Sequence, residues 1–310
     1  MVTEIPNGES NQSPRVTIGV PVYNGDAYLA EALDSILNQT FTDFEVIISD
    51  NASTDGTEQI CRDYAARDDR VRYIRQEKNL GAAPNFNLLV PIARGEYFKW
   101  AASDDLIAPE FLNYCVEALE KEFDASLAMT QTQIIDEQGG HVSLHEVNQE
   151  FADPEQCKRF KALLPMSTCF EVFGLMRTEK LRKTKLIIGS SHGDGVLLAA
   201  LGVLGPFEIV EKPLFKARKH PKQSVNLHHD RRIYSEWFDI SNRGKLLVPT
   251  ATMLKEFGLI PFAHPLTFGQ RWECIKSLLR FSWSNRLGLK HDLKFTLRFI
   301  FLRFFGELRN

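Results

Sequence analysis

Few of the features that would fix the chemistry outright are present in this chain. Its five cysteines, at 61, 115, 157, 169 and 274, are far apart and form neither a CxxC pair nor a Cys/His cluster. That argues against a thiolate zinc site and reads as reduced thiols in a cytoplasmic setting. There is no GxGxxG and no GxxxxGK[ST] stretch, so neither a dinucleotide fingerprint nor a P-loop is supported. No uninterrupted apolar run reaches the roughly 18 residues that a membrane span needs. The best candidate, residues 195–210, is broken by Gly205 and Pro206 and reads as a buried helix followed by a strand. The first 14 residues lack the apolar core of a signal peptide and read as a disordered leader.

What is there suits a globular protein. A length of 310 residues, 44% hydrophobic and 25% charged, allows one large domain or one domain with an appendage. The net charge of −3 hides an asymmetry. Residues 1–211 hold 18 Lys and Arg against 33 Asp and Glu, whereas residues 212–310 hold 19 against 7. Either the basic third faces an anionic membrane surface or another polyanion, or it docks on the acidic part.

Along the chain, β-branched or apolar runs alternate with helical periodicity. Strands are expected at 16–23, 44–49, 71–75, 97–102, 127–135 and 207–216. Leu29, Leu33, Ile36 and Leu37 share a helical face, as do Phe111, Leu112, Cys115, Val116 and Leu119. Asp55 and Glu58 have the spacing of a capping box. The fold expected is a doubly wound, mostly parallel α/β sheet of Rossmann-like character over residues 15–228, with a helical, basic extension over 229–310. Residues 140–165, of mixed charge and weak periodicity, read as a long surface insertion on the acceptor side.

Polar clusters fall where the strands end: Tyr23-Asn24, Asp50-Asn51 and Asp104-Asp105. Ligands of open α/β sheets bind outside those carboxyl ends. The stretch from Gly95 to Pro109 is the most telling, because Tyr97, Phe98 and Trp100 lead straight into two carboxylates. Unpaired charges do not stay in a buried strand. Asp104 and Asp105 therefore either face a crevice with a divalent cation and an anionic ligand, or cap the helix that follows Pro109. Asp194, in a glycine-flanked loop before an apolar helix, likewise reads as an N-cap or as a site carboxylate.

The ordered set Val20-Pro21-Val22-Tyr23-Asn24, Ser49-Asp50-Asn51-Ala52-Ser53-Thr54-Asp55-Gly56-Thr57, Asn79-Leu80-Gly81, Gly95-Glu96-Tyr97 and Ser103-Asp104-Asp105 resembles the inverting family 2 glycosyltransferases of GT-A fold. The likeness runs from about Val16 to Asn226. It implies a nucleotide-sugar donor, most often UDP-linked, with Pro21, Tyr23, Asn24 and Asp50 at the base and ribose. By the same resemblance Asn85 faces the donor, Asp104 faces the ribose and the metal, and Asp105 ligates Mn²⁺ or Mg²⁺. Asp194 takes the place of the Asp in the family's Glu-Asp pair and would be the general base. His220, in the basic segment 216–224, would approach the diphosphate. Four departures stand out: Asn51 follows Asp50 where the family often has a second Asp, Ala83-Pro84 replaces Ala-Arg before Asn85, Ala102 replaces the first acid of the DxD-type motif, and Gly193 replaces the Glu before Asp194.

The acceptor implied is a saccharide or a lipid-linked hydroxyl. Lys290, Lys294 and Arg298 recur at i, i+4 spacing among Leu and Phe, the composition of an interfacial membrane helix. The competing reading is a helix packed on the catalytic domain or on a second subunit. The aromatic residues of the basic third lie at core-like spacing, so nucleic acid is not an expected partner. Two other functions compete with glycosyl transfer. A nucleotidyltransferase would need a Gly- and Lys-rich segment after the first strand, which residues 21–29 lack. A non-catalytic scaffold would keep the fold without turnover.

Overall fold

The computed structural model describes residues 13–166, 168–221, 223, 231–246 and 248–306. Most of the expected leader, and the stretch at 224–230 where the two expected units join, lie outside them. The first half runs β1 (Val16–Val22), α1 (Leu29–Leu37), β2 (Phe44–Asp50), α2 (Thr57–Arg67), β3 (Val71–Arg75), α3 (Ala82–Asn87), α4 (Leu89–Ile92), β4 (Tyr97–Trp100), β5 (Leu106–Ile107), α5 (Phe111–Lys121) and β6 (Leu127–Ile135). The second half continues with β7 (His141–His145), α6 (Gln156–Leu163), β8 (Leu175–Arg177), α7 (Thr178–Leu181), α8 (Gly193–Leu204), β9 (Phe207–Arg218), α9 (Arg231–Phe238), α10 (Pro249–Ala263), α11 (Phe268–Ser284) and α12 (Arg286–Gly306).

The strands form one sheet in the order β3-β2-β1-β4-β8-β6-β9-β5, with β7 beside β6. Side chains alternate across a strand, so a run that is apolar at every position must be covered on both faces. In β2, Ile47 enters one core while Val46 and Ile48 enter the other. The first core is closed by α3, α6, α8 and α10, the second by α1, α2 and α5. β1 pairs in parallel with β2 and β4, in a register that sets Val22 opposite Asp50 and Gly19 opposite Trp100. The three expected polar clusters therefore leave the sheet along one edge. Gly19 is required there, since a Cβ would lie 2.9 Å from Phe98 Cζ.

The sheet is mixed rather than uniform. β8 lies antiparallel between β4 and β6, while β6 and β9 pair in parallel. β5 pairs antiparallel with the end of β9, placing Leu106 opposite Lys216. Asp104 and Asp105 are thus brought against Arg218, and β5 separates them from α5, whose N-cap is Glu110. They do not cap that helix.

Two local expectations change. Residues 140–165 are not a loose insertion, because they hold β7 and α6, with Phe160 and Leu163 fully buried. The polarity that disguised α6 includes Arg159, 2% exposed, whose guanidinium donates to the carbonyls of Gly202, Asp153 and Pro154 at 2.6, 2.5 and 2.9 Å. The capping box at Asp55 does not form either. Asp55 accepts from Thr57 N–H at 3.1 Å, and Glu58 turns to Arg75 and Arg62 at 2.8 and 2.7 Å.

The extension packs on the sheet domain along one side. Met253, Phe257 and Ile260 of α10 and Cys274 of α11 join the core that buries α8. Asp292 of α12, 3% exposed, accepts the Ala251 N–H at 3.0 Å. Among the described residues, no helix is long and apolar enough to cross a membrane.

Candidate active site

Just past the end of β1, Tyr23 is 46% exposed. Asn24 follows in the left-handed region (φ 52°), which Asn tolerates better than most residues. Its side chain accepts the Thr54 N–H at 2.8 Å and its own N–H donates to Ser53 Oγ at 2.9 Å. The loops after β1 and β2 are thereby tied together. Pro21 is buried beside Ser49 in register.

Asp50 and Asn85 sit deeper than the sequence suggests. Asp50 is 0% exposed, and its two oxygens accept the Ser53 N–H and the Tyr73 O–H, each at 2.8 Å. Arg75 Nε lies 3.7 Å away. Asn85 is 2% exposed, donates to Ser49 O at 2.9 Å and accepts from Ser49 Oγ at 2.6 Å. Both side chains are buried and hold the loop ends in place.

Asp104 is the accessible carboxylate, its side chain 29% exposed, with Oδ2 2.8 Å from His220 Nε2. Asp105, half-buried, follows it. Burial, then the neighbouring charge of Asp104, raises the Asp105 carboxyl well above the usual range, while the Arg218 N–H and the charges of Lys99 and Arg218 oppose that rise. Arg218 organises this corner although only 1% of it is exposed. Its N–H donates to Asp105 Oδ1 at 2.8 Å, its Nε to Asp104 O at 3.0 Å and its Nη1 to Glu137 O at 2.8 Å. It also pairs with Glu31 and lies 4.7 Å over the Tyr28 ring, which in turn packs 4.9 Å from His220. Beneath Asp105, Lys99 is 0% exposed, donates to Phe173 O and sits 4.5 Å over Phe111. Burial lowers its ammonium to about 7.

Asp194 lies in the first turn of α8, after the N-cap His192, whose side chain makes no capping bond. Burial pushes its carboxyl up to about 6, which places it near neutrality as a proton acceptor needs to be. Cys169 and Tyr234 are close enough to feel its charge, burial remaining the larger cause of their raised values. Glu171, 4% exposed, is pushed by burial to about 7, and its Oε2 has no hydrogen-bond partner among the described residues; neither has Ser190 Oγ, in the loop before Asp194. α9 and the turn after it close this side: Ile240 N–H donates to Leu80 O at 3.3 Å and Asn242 Nδ2 to Gly189 O at 2.9 Å. A left-handed Gly81 (φ 93°) makes room, since a Cβ would lie 2.7 Å from Asp239 Cα.

Among the described residues no three His, Cys, Asp or Glu side chains gather to hold a metal unaided. Asp104, with His220 beside it and Asp105 behind, still fits a hard cation that keeps waters and takes its other oxygens from a diphosphate. A cavity of about 510 Å³ lies elsewhere, between Gln156, Arg159, Leu204 and Gln270, and gathers none of these acids.

Residues 17–185 match the family described as Glycosyl transferase family 2. The chain belongs to that family. Of the curated relatives, glycosyltransferase GlyG of Streptococcus pneumoniae is 32% identical over 203 residues, 66% of this chain and 58% of that protein. Chondroitin synthase of Escherichia coli is 37% identical over 130 residues, 42% of this chain and 19% of the synthase. The chain thus spans less than two thirds of these relatives. Among solved structures, S. aureus TarS 1–349 in complex with UDP aligns with a TM-score of 0.55 at 18% identity, covering 88% of this chain and 92% of that one. The mannosyltransferase PcManGT of Pyrobaculum calidifontis, in complex with GDP-Man and Mn²⁺, aligns at 0.51 and 16% identity, covering 89% and 88%. At such identity these likenesses concern the fold, which is GT-A.

The sequence placed Tyr23, Asn24, Asp50, Asp104, Asp105 and Asp194 at strand ends or helix starts, and the structure gathers all but Asp194 along one edge with His220. Three contributors were not foreseen in their roles. Arg218 was legible only as part of a basic segment, while Glu171 and Tyr234 carry no pattern that marks them.

Proposed function

We propose that the protein is an inverting glycosyltransferase that moves a sugar from a nucleotide-diphosphate donor, a UDP-sugar in the first instance, to a hydroxyl of a saccharide or lipid-linked acceptor. The observation that carries the reading is the division of carboxylates between two sides. Asp104, with His220, stands at the sheet edge, while Asp194 is half-buried at the start of α8, its carboxyl pushed by burial to about 6. One side suits a metal–diphosphate, the other a proton.

Tyr23 and Pro21 would line the nucleoside pocket, with Asn24, Asp50 and Asn85 fixing the loops around it. Asp104 and His220 would hold Mn²⁺ or Mg²⁺, with Asp105 as the second carboxylate. The bound metal would supply positive charge to the diphosphate as it leaves. Asp194 accepts the proton of the acceptor hydroxyl as that oxygen attacks the anomeric carbon, and the bond to the diphosphate breaks on the opposite face. A single displacement inverts the centre and leaves no sugar on the protein. A positioned base of this kind contributes roughly 10²–10⁴-fold in rate. The reaction would take place in the cytoplasm, and a lipid-linked acceptor would be met at the membrane's inner surface.

A nucleotide-sugar panel incubated with Mn²⁺, with and without EDTA, and read by mass spectrometry is the test. Transfer that EDTA abolishes is expected. Absence of nucleotide binding under every metal condition would overturn the reading.

A further inference from the structure

Two helices of the extension turn large apolar side chains outward. On α11, Phe268, Trp272, Leu279 and Trp283 are 84%, 52%, 62% and 72% exposed. They are spaced by multiples that return to one side of a 3.6-residue turn, so they form a single stripe. On α12, Leu287, Leu293 and Leu297 are 62%, 60% and 59% exposed and are interleaved with exposed Arg286, Lys290 and Lys294. The opposite side of α12 is the packed one, where Asp292 holds Ala251 and Gly288 has no room for a Cβ against Thr250. The two stripes meet at the corner between the helices. There the Arg286 guanidinium lies 5.2 Å over the Trp283 ring and donates to its carbonyl at 3.0 Å.

Isolated exposed leucines are ordinary on a protein surface, but continuous stripes mark a binding face. The chemistry of the occupant follows from the charge. Residues 268–306 hold eight Lys and Arg against two Asp and Glu, and one of those two, Asp292, is buried. A protein interface keeps lysine out of its apolar centre. A two-fold contact between copies would set this basic stripe against itself. A bilayer surface has neither objection, because Lys and Arg bury their stems among acyl chains while their charged ends reach the headgroups.

We propose that α11 and α12 form a docking face for an anionic lipid bilayer, with Trp272 and Trp283 seated at the acyl boundary and Arg286, Lys290 and Lys294 on the lipid phosphates. The face lies on the membrane without crossing it. It deepens the proposed function by naming where a lipid-linked acceptor would be met, and its physical basis is independent of catalysis.

The full chain is floated with vesicles of phosphatidylcholine alone, and of equal parts phosphatidylcholine and phosphatidylglycerol. Binding to the anionic vesicles is expected, with a fall of at least about tenfold in partitioning for the double variant Trp272→Ala/Trp283→Ala. For Lys290→Glu/Lys294→Glu the preference for phosphatidylglycerol should fall by at least about tenfold, given what each basic residue contributes near an anionic surface. Lys121→Glu, on the exposed face of α5, serves as a charge control and should float like the parent. No flotation of the parent, or equal flotation of all variants, overturns the proposal. So does a lipid-free dimer that Trp283→Ala converts to monomer, since the face would then belong to a second copy. Calorimetric UDP binding on the same samples separates the two readings: a chain that floats but binds no nucleotide keeps the docking face and loses the proposed function.

Discussion

The backbone N–H of Arg218 lies 2.8 Å from Oδ1 of Asp105, 113 residues earlier in the chain. The same residue's Nε reaches Asp104 O at 3.0 Å. One arginine at the end of β9 therefore fixes both members of the acidic pair.

Arg218→Lys keeps the charge but loses the planar fork, whose separate nitrogens reach the Asp104 carbonyl, the Glu137 carbonyl and the Glu31 carboxylate. The expected cost is about 2 kcal/mol or more, read as a lower urea midpoint with unchanged slope. Metal-dependent nucleotide binding should weaken in parallel. A variant as stable as the parent would show that the buried guanidinium does not organise this corner.

Asp194→Asn removes the proton acceptor and leaves the donor side intact. Turnover should fall by roughly 10²–10⁴-fold while UDP affinity stays within a factor of about two. In the parent, rate should rise as pH passes through about 6, where burial holds this carboxyl. A flat pH profile from 5 to 8 or so, or full turnover of the Asn variant, would remove Asp194 from the mechanism.

His220→Ala leaves Asp104 without its ring partner. If the pair holds the cation, the Mn²⁺ concentration that half-supports UDP binding should rise by roughly 10- to 100-fold. Binding at saturating metal should recover. Loss that excess metal does not rescue would assign His220 to the diphosphate or to packing instead.

Glu171 provides a test in stability alone. Its folded carboxyl is held near 7 against an ordinary 4.5, so the native state keeps a proton that the unfolded chain releases. Stability is then lost as pH rises from about 4.5 to about 7. Glu171→Gln, neutral throughout, should match the parent at low pH and exceed it by up to about 3 kcal/mol at pH 8. Parallel stability curves would mean that the buried Oε2 has an unseen partner.

Much of the architecture is legible in the sequence, because β1, β2 and β4 are largely apolar and polar residues follow where each ends. Such runs leave little choice of layer or edge. The three-residue β8 gave no such signal, yet it turns the sheet antiparallel between β4 and β6. α6 was hidden by Arg159, whose burial depends on carbonyls it meets only in the folded chain. At the site, the residue types were legible and their depth was not. Asp50 and Asn85 look like ligand contacts in sequence, but their bonds to Ser53, Tyr73 and Ser49 are set by tertiary packing. Nothing local pairs Asp104 with His220.

The short pairing of β5 with the end of β9 also sets an order of assembly. Asp104 and Asp105 are synthesised more than a hundred residues before Arg218 and His220, and until those arrive the acidic pair has neither its donor nor its ring partner. Contacts of such sequence separation form late, after their loop-closure entropy has been met. Metal-dependent protection of the chain by UDP should therefore emerge only in ribosome-released fragments that extend beyond His220, and protection of a shorter fragment would show that the edge matures without its last strand. A nascent chain would carry most strands of its sheet before it carries a usable site.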